Sequence, residues 1–208
     1  MRQGALVVIS GFAGAGKGTL VKELMKRYDN YALSVSMTTR SPRPGEKEGE
    51  SYFFVTKEQF EKTIEENGFI EYAQYVGNYY GTPRAYVEEQ MRSGKDVILE
   101  IEIQGAHKVR ELYPDAILIF VTPPSAQILK ERLTGRGTET AEVIKKRMDR
   151  AAQESEGIED YDYIAVNDDI ETCVSNVRGM IEASHFRPAL NEEFISQVRA
   201  DLEKMATE

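Results

Sequence analysis

Four short apolar runs punctuate the chain: "ALVVIS" (5–10), "DVILEIEI" (96–103), "AILIFVT" (116–122) and "YIAVN" (163–167). All are rich in branched residues, the pattern of strands buried on both faces in a parallel sheet. Helical patterns separate them over 19–28, 84–93, 104–112, 125–133 and 170–183. This alternation predicts an α/β fold, a central parallel sheet flanked by helices and joined by right-handed crossovers.

Two segments break the alternation. Residues 35–82 mix short β-like pieces, Gly/Pro turns and one helix with many tyrosines and phenylalanines, and are expected to form an inserted subdomain. Residues 126–158 read as a charged helical pair around a Gly-Arg-Gly turn, a surface flap. The core is then 1–34, 83–125 and 159–183, and 184–208 is a helical extension. In that extension Leu190, Phe194, Val198 and Leu202 recur at near-helical spacing, and Asn191 reads as a helix start. The stripe is expected to pack on the chain's own core, with an oligomer contact as the alternative.

The first run leads into "GFAGAGKGTL" (11–20), so a strand, a glycine-rich turn and a helix follow in order. That context predicts a phosphate-binding loop formed by Gly11, Phe12, Ala13, Gly14, Ala15, Gly16, Lys17, Gly18 and Thr19. Backbone N–H groups converge on the anion, the helix dipole assists, and Lys17 adds a point charge. Gly18 stands where such loops usually place a metal-binding hydroxyl.

Composition narrows the ligands. The 208-residue chain carries a net charge of −9, from 26 basic and 35 acidic residues, which disfavours nucleic acid and anionic membranes as partners. No apolar run approaches the roughly 20 residues of a membrane span, and the amino terminus lacks a signal-peptide pattern. Cys173 is the only cysteine, and His107 and His185 lie far from it, so metal clusters and a Cys/His nucleophile pair are poorly supported. A cytoplasmic location is expected.

A second anion site is predicted in "SMTTRSPRPGE" (36–46), where Arg40 and Arg43 flank a proline turn and present two planar forks. Tyr52 and Tyr80 are candidate phenolic donors to the same phosphate. Glu100 and Glu102 leave the carboxyl end of a predicted strand, and by alternation both are expected on one side.

Together "GAGKGTL", "SVSMTTRSPRPGE", "YFF", "FIEYAQYVGNYYGT", "EIQGA", "RLTGRGTE" and "YIAVNDD" resemble the guanylate kinases in order and spacing, over 5–183. The resemblance implies a P-loop kinase core with a GMP-binding insert and a helical lid, and phosphoryl transfer from ATP to GMP with Mg²⁺. It implies that Ser36, Arg40, Arg43, Tyr52, Glu71, Tyr80, Thr82, Glu100 and Glu102 hold GMP. Arg132, Arg136 and Arg147 become lid arginines that act with Lys17 and Arg40 on the transferring group, and Asn167 joins the adenine pocket. Guanine offers N1–H and N2–H₂ to a carboxylate such as Glu71, whereas adenine presents a lone pair at N1, a mismatch that disfavours AMP. Glu100 and Glu102 are candidate outer-shell partners of the hydrated metal, with their division of labour open. So are dGMP as a further acceptor and the choice between monomer and homo-oligomer. Phe12-Ala13 replaces the Pro-Ser frequent in that family and is expected to alter loop rigidity.

Overall fold

The computed structural model describes residues 3–75, 77–135 and 140–206. Five parallel strands form the main sheet in the order β2-β7-β1-β8-β9: β1 (Leu6–Gly11), β2 (Tyr31–Leu33), β7 (Asp96–Glu100), β8 (Ile117–Thr122) and β9 (Tyr163–Val166). Four of them are the runs expected from the sequence. The fifth, β2, is three residues long and pairs with the start of β7 from Tyr31 opposite Asp96.

Alternation along β1 divides the core. Val7 and Ile9 face α1 (Lys17–Arg27) and α7 (Ile170–Ser184), where Leu20, Leu24, Val174, Val177 and Ile181 are fully or almost fully buried. Leu6 and Val8 face the other layer, where Val87 of α3 (Arg84–Arg92) and Ala106 and Val109 of α4 (Ile103–Leu112) are buried. Burial on both faces explains why the strands read as nearly continuous apolar runs.

Between β2 and α3 lies a second, four-stranded sheet in the order β4-β3-β6-β5. Its strands are β3 (Met37–Thr38), β4 (Phe53–Phe54), β5 (Phe69–Tyr75) and β6 (Asn78–Pro83), with α2 (Lys57–Glu65) packed against them. Phe60 of α2 is fully buried and stacks between Phe69 and Tyr79, at centroid distances of 4.3 and 5.1 Å. A capping box in which Thr56 and Gln59 exchange hydrogen bonds starts that helix. Two further helices, α5 (Ala126–Thr134) and α6 (Ala141–Ser155), follow β8.

Two expectations are corrected. Strand β7 ends at Glu100, and Glu102 is the N-cap of α4, so the alternation does not reach Glu102. Of the expected stripe, Leu190 packs against the core, but the final helix, α8 (Glu192–Ala206), has no buried residue, so Phe194, Val198 and Leu202 do not. A short 3₁₀ turn, Pro188–Asn191, precedes it, and the Asn191 amide donates back to the carbonyls of His185 and Arg187 instead of capping α8.

Candidate active site

The loop between β1 and α1 lies at the carboxyl end of the sheet, where open α/β folds bind ligands. Gly14 and Gly16 have φ of 92° and 90°, left-handed conformations that a side chain would strain. A Cβ at Gly16 would also lie 2.4 Å from Asn167 Nδ2, which donates to the Ala15 carbonyl at 2.7 Å. Asn167 is thereby fixed against the loop, at the end of β9. Phe12 is buried edge-on against Phe120 at 5.0 Å and anchors the loop to the core, with Ala13 exposed beside it. Lys17 Nζ donates to the carbonyls of Gly11 and Phe12, and Thr19 is exposed on the first helical turn.

Gly18 faces Glu100: a Cβ there would stand 3.7 Å from Glu100 Oε1. Glu100 is open to solvent on one side, yet the surrounding protein raises its pKa while Lys17 pulls it down. A carboxylate, a lysine and the loop's N–H groups therefore share one end of the sheet.

The second sheet gathers another set. Thr38 and Thr39 fasten the start of the Arg40 loop to Tyr79 through their hydroxyls. The Arg40 guanidinium lies 5.3 Å from the centre of the Tyr52 ring and near Tyr80, which adds to Glu46 in raising its pKa and whose ring is 6.0 Å from that of Tyr52. Glu46 holds this cluster, accepting from Arg40 Nη2 at 2.8 Å and from the Arg43 backbone N–H at 2.7 Å. Those contacts hold the Glu46 carboxyl below its ordinary pKa, Arg40 contributing most.

Across the same sheet, Thr82 lies directly opposite Glu71 just past a β-bulge in β5, and its hydroxyl donates to Glu71 Oε1 at 2.7 Å. Thr82 is buried. Burial raises the Glu71 pKa, an effect that Thr82 and Lys108 oppose and Glu102 reinforces. Glu102 accepts from Arg150 Nη2 of α6 at 2.7 Å. The two acids beyond Leu99 thus take different neighbours: Glu100 the glycine-rich loop, Glu102 the Glu71 side and α6. Ser36 leads into β3, and its carbonyl accepts from the Phe53 N–H.

Helix α5 rests on the glycine-rich loop, since a Cβ at Gly14 would strike Leu133 Cδ2 at 2.9 Å. Its last turn carries Arg132, close enough to the buried Cys173 to oppose the burial that pushes that thiol up to about 11. Arg147 lies on α6 one turn before Arg150. Arg136, expected at the turn between these helices, lies outside the described residues.

The guanylate kinase family model matches residues 3–184. The chain belongs to the guanylate kinase family. The guanylate kinase of Halalkalibacterium halodurans is 52% identical over 183 residues, 88% of this chain and 90% of that protein. That of Clostridioides difficile is 47% identical over 199 residues, 93% of this chain and 97% of its relative. The crystal structure of guanylate kinase from Anaplasma phagocytophilum superposes with a TM-score of 0.69 at 34% identity, covering 89% of this chain and 88% of that one.

Membership of the guanylate kinase family makes this an ATP-using kinase core, a class that generally works with a divalent cation. Among the described residues no three His, Cys, Asp or Glu side chains cluster to cage an ion. The hard oxygen donors of Glu100 and Thr19 flank the loop instead, a set that suits a cation carried mainly by phosphate and water. Two contacts of the site are not legible in the sequence. Glu46 sits in the charged stretch "GEKEGE", where one acid looks like its neighbours, and Arg150 is one of several basic residues in the charged segment 126–158. Arg150 also donates to Glu154 one turn further along α6.

Proposed function

We propose that this chain transfers the γ-phosphoryl group of ATP to GMP, giving ADP and GDP, through the residues gathered around its two sheets. The observation that carries the acceptor is the Glu71–Thr82 pair. The Thr82 hydroxyl occupies one Glu71 oxygen and orients the carboxylate, whose remaining capacity suits the paired N1–H and N2–H₂ donors of guanine. Ser36 lies near the start of β3 and completes base recognition in this reading, with Glu102 on the Glu71 side. Arg40, Arg43, Tyr52 and Tyr80 offer the positive and phenolic groups that a phosphate dianion requires.

On the donor side, the loop 11–19 receives the ATP phosphates through its N–H groups and Lys17, while Asn167 borders the adenine pocket. Mg²⁺ is the cation that fits, held by the phosphates and water with Glu100 in its outer shell; bound there, it would neutralise charge on the β- and γ-phosphates. The attacking oxygen belongs to a phosphate that is already anionic, so transfer calls for alignment and charge neutralisation without a general base. Arg132 of α5 and Arg147 of α6, with Arg136 of the intervening sequence, supply further positive charge as 126–158 closes over the nucleotide and excludes water. The unit 1–183, with insert 35–82 and lid 126–158, is the catalytic body. Cytoplasmic nucleotide metabolism is the setting that suits these substrates.

Substitution of Lys17 tests this assignment. Lys17→Ala is expected to lower turnover by at least about a hundredfold while calorimetry still detects GMP binding. Unchanged turnover would remove Lys17 from the mechanism.

A further inference from the structure

We propose that Ser10 is a positioning residue for the acceptor site, its hydroxyl fixing the turn that carries Glu102 towards Glu71. The proposal rests on the acceptor reading given above, in which Glu102 stands on the guanine side. The β1–β7 ladder ends with Ile9 opposite Glu100, and at the next residue Ser10 pairs only with β8, opposite Phe120. Where β7 leaves the sheet, a side chain takes over from the ladder: Ser10 Oγ donates to the Ile101 carbonyl at 2.8 Å.

Ile101 is the single residue between the end of β7 and the N-cap of α4, so the set of its peptide decides how Glu102 leaves the turn. Glu102 makes no side-chain capping bond that would tie its carboxylate to its own helix. The carboxylate reaches instead to Arg150 at 2.7 Å and stands close enough to Glu71 to help raise that residue's pKa. A side chain without a local tie is aimed by the backbone that carries it, and Ser10 holds that backbone. The turn has little room to shift, since a Cβ at Gly105 would already meet Ile101 Cδ1 at 3.2 Å.

Ser10 is fully buried. The Tyr161 phenol, buried without a hydrogen-bond partner among the described residues, lies near enough that Ser10 opposes the burial that pushes it up to about 12. Bulk water does not reach the Ser10 hydroxyl, so removing it takes the donor from the Ile101 carbonyl with no solvent molecule in its place. A hydroxyl that served folding alone would change stability and leave the GMP affinity of the folded protein as it was.

Calorimetric titration with GMP and steady-state kinetics on Ser10→Ala test the proposal. Both the Kd and the KM for GMP are expected to rise at least about fivefold, with the KM for ATP changed by less than about twofold. Ser10→Cys, which keeps a weak donor of similar size, should fall between wild type and Ser10→Ala, and carries the test alone should Ser10→Ala not fold. In a Glu102→Gln background Ser10→Ala should weaken GMP binding little further, because the group it positions has already been changed. Unchanged GMP affinity in folded Ser10→Ala would overturn the proposal, as would a loss that adds in full to that of Glu102→Gln. If Glu102→Gln itself binds GMP as the wild type does, the acceptor reading of Glu102 falls and the proposal with it, an outcome distinct from a failure of Ser10 alone.

Discussion

In the proposed function Glu71 is the residue on which acceptor choice turns, because a carboxylate can accept from the guanine donors only while ionised. Burial raises its pKa above 4.5, so on acidification it takes up a proton sooner than an ordinary glutamate. The KM for GMP is therefore expected to rise as pH falls from neutral, from a higher pH onward than an unperturbed carboxyl would give. A KM that stays flat until ordinary glutamates titrate would contradict this. Stability runs in the opposite sense. The folded state holds this proton more tightly than the unfolded one, so the contribution of Glu71 to stability grows as pH falls from above the raised pKa towards 4.5. Comparing urea midpoints of the wild type and Glu71→Gln across that range measures it. The same substitution turns an acceptor oxygen into an amide donor, and the GMP preference over AMP should fall by on the order of tenfold or more. An unaltered ratio of kcat/KM values would count against base reading by Glu71. Sequence reasoning reached Glu71 and Thr82 through the family resemblance, but their mutual hydrogen bond required the β5–β6 register and its bulge.

At the scale of elements, the strand–loop–helix unit was legible because glycine, lysine and apolar residues stand at fixed local spacings. What Phe12 does was not, since its partner Phe120 lies more than a hundred positions away. Phe12→Ala should cost about 3–5 kcal/mol of folding stability, read by chemical denaturation, and should raise the KM for ATP as the loop loses its anchor. An unchanged denaturation midpoint would show that the edge-on contact is not what holds the loop. Strand β7 was overrun in the reading because Glu102 and Ile103 continue the alternation of apolar and acidic residues across a helix start, and hydropathy alone cannot mark that turn. Strand β2 was missed for the opposite reason, three residues being too few to show a period. The link from α6 to Glu102 is likewise a product of tertiary placement. Both partners are more than half exposed, at 58 and 53%, so the pair contributes at most about 1 kcal/mol. Arg150→Ala should accordingly raise the KM for GMP by no more than about fivefold with kcat little changed. A collapse of kcat would assign Arg150 a larger role.

Across the whole molecule, two sheets divide the labour proposed here. The parallel sheet presents the glycine-rich loop at its carboxyl end, the smaller sheet presents Arg40, Tyr52, Tyr80, Glu71 and Thr82, α5 rests on that loop, and α6 reaches Glu102 through Arg150. The acidic surface implied by a net charge of −9 leaves those local basic groups as the places where phosphates can settle. This arrangement makes the acceptor, and not ATP consumption alone, the discriminating property of the protein. A coupled ADP-release assay offering GMP, AMP, dTMP and ribose 1,5-bisphosphate separately measures it most directly. Turnover with GMP far above the other three is the predicted result, and turnover with any of them in the absence of turnover with GMP would contradict it.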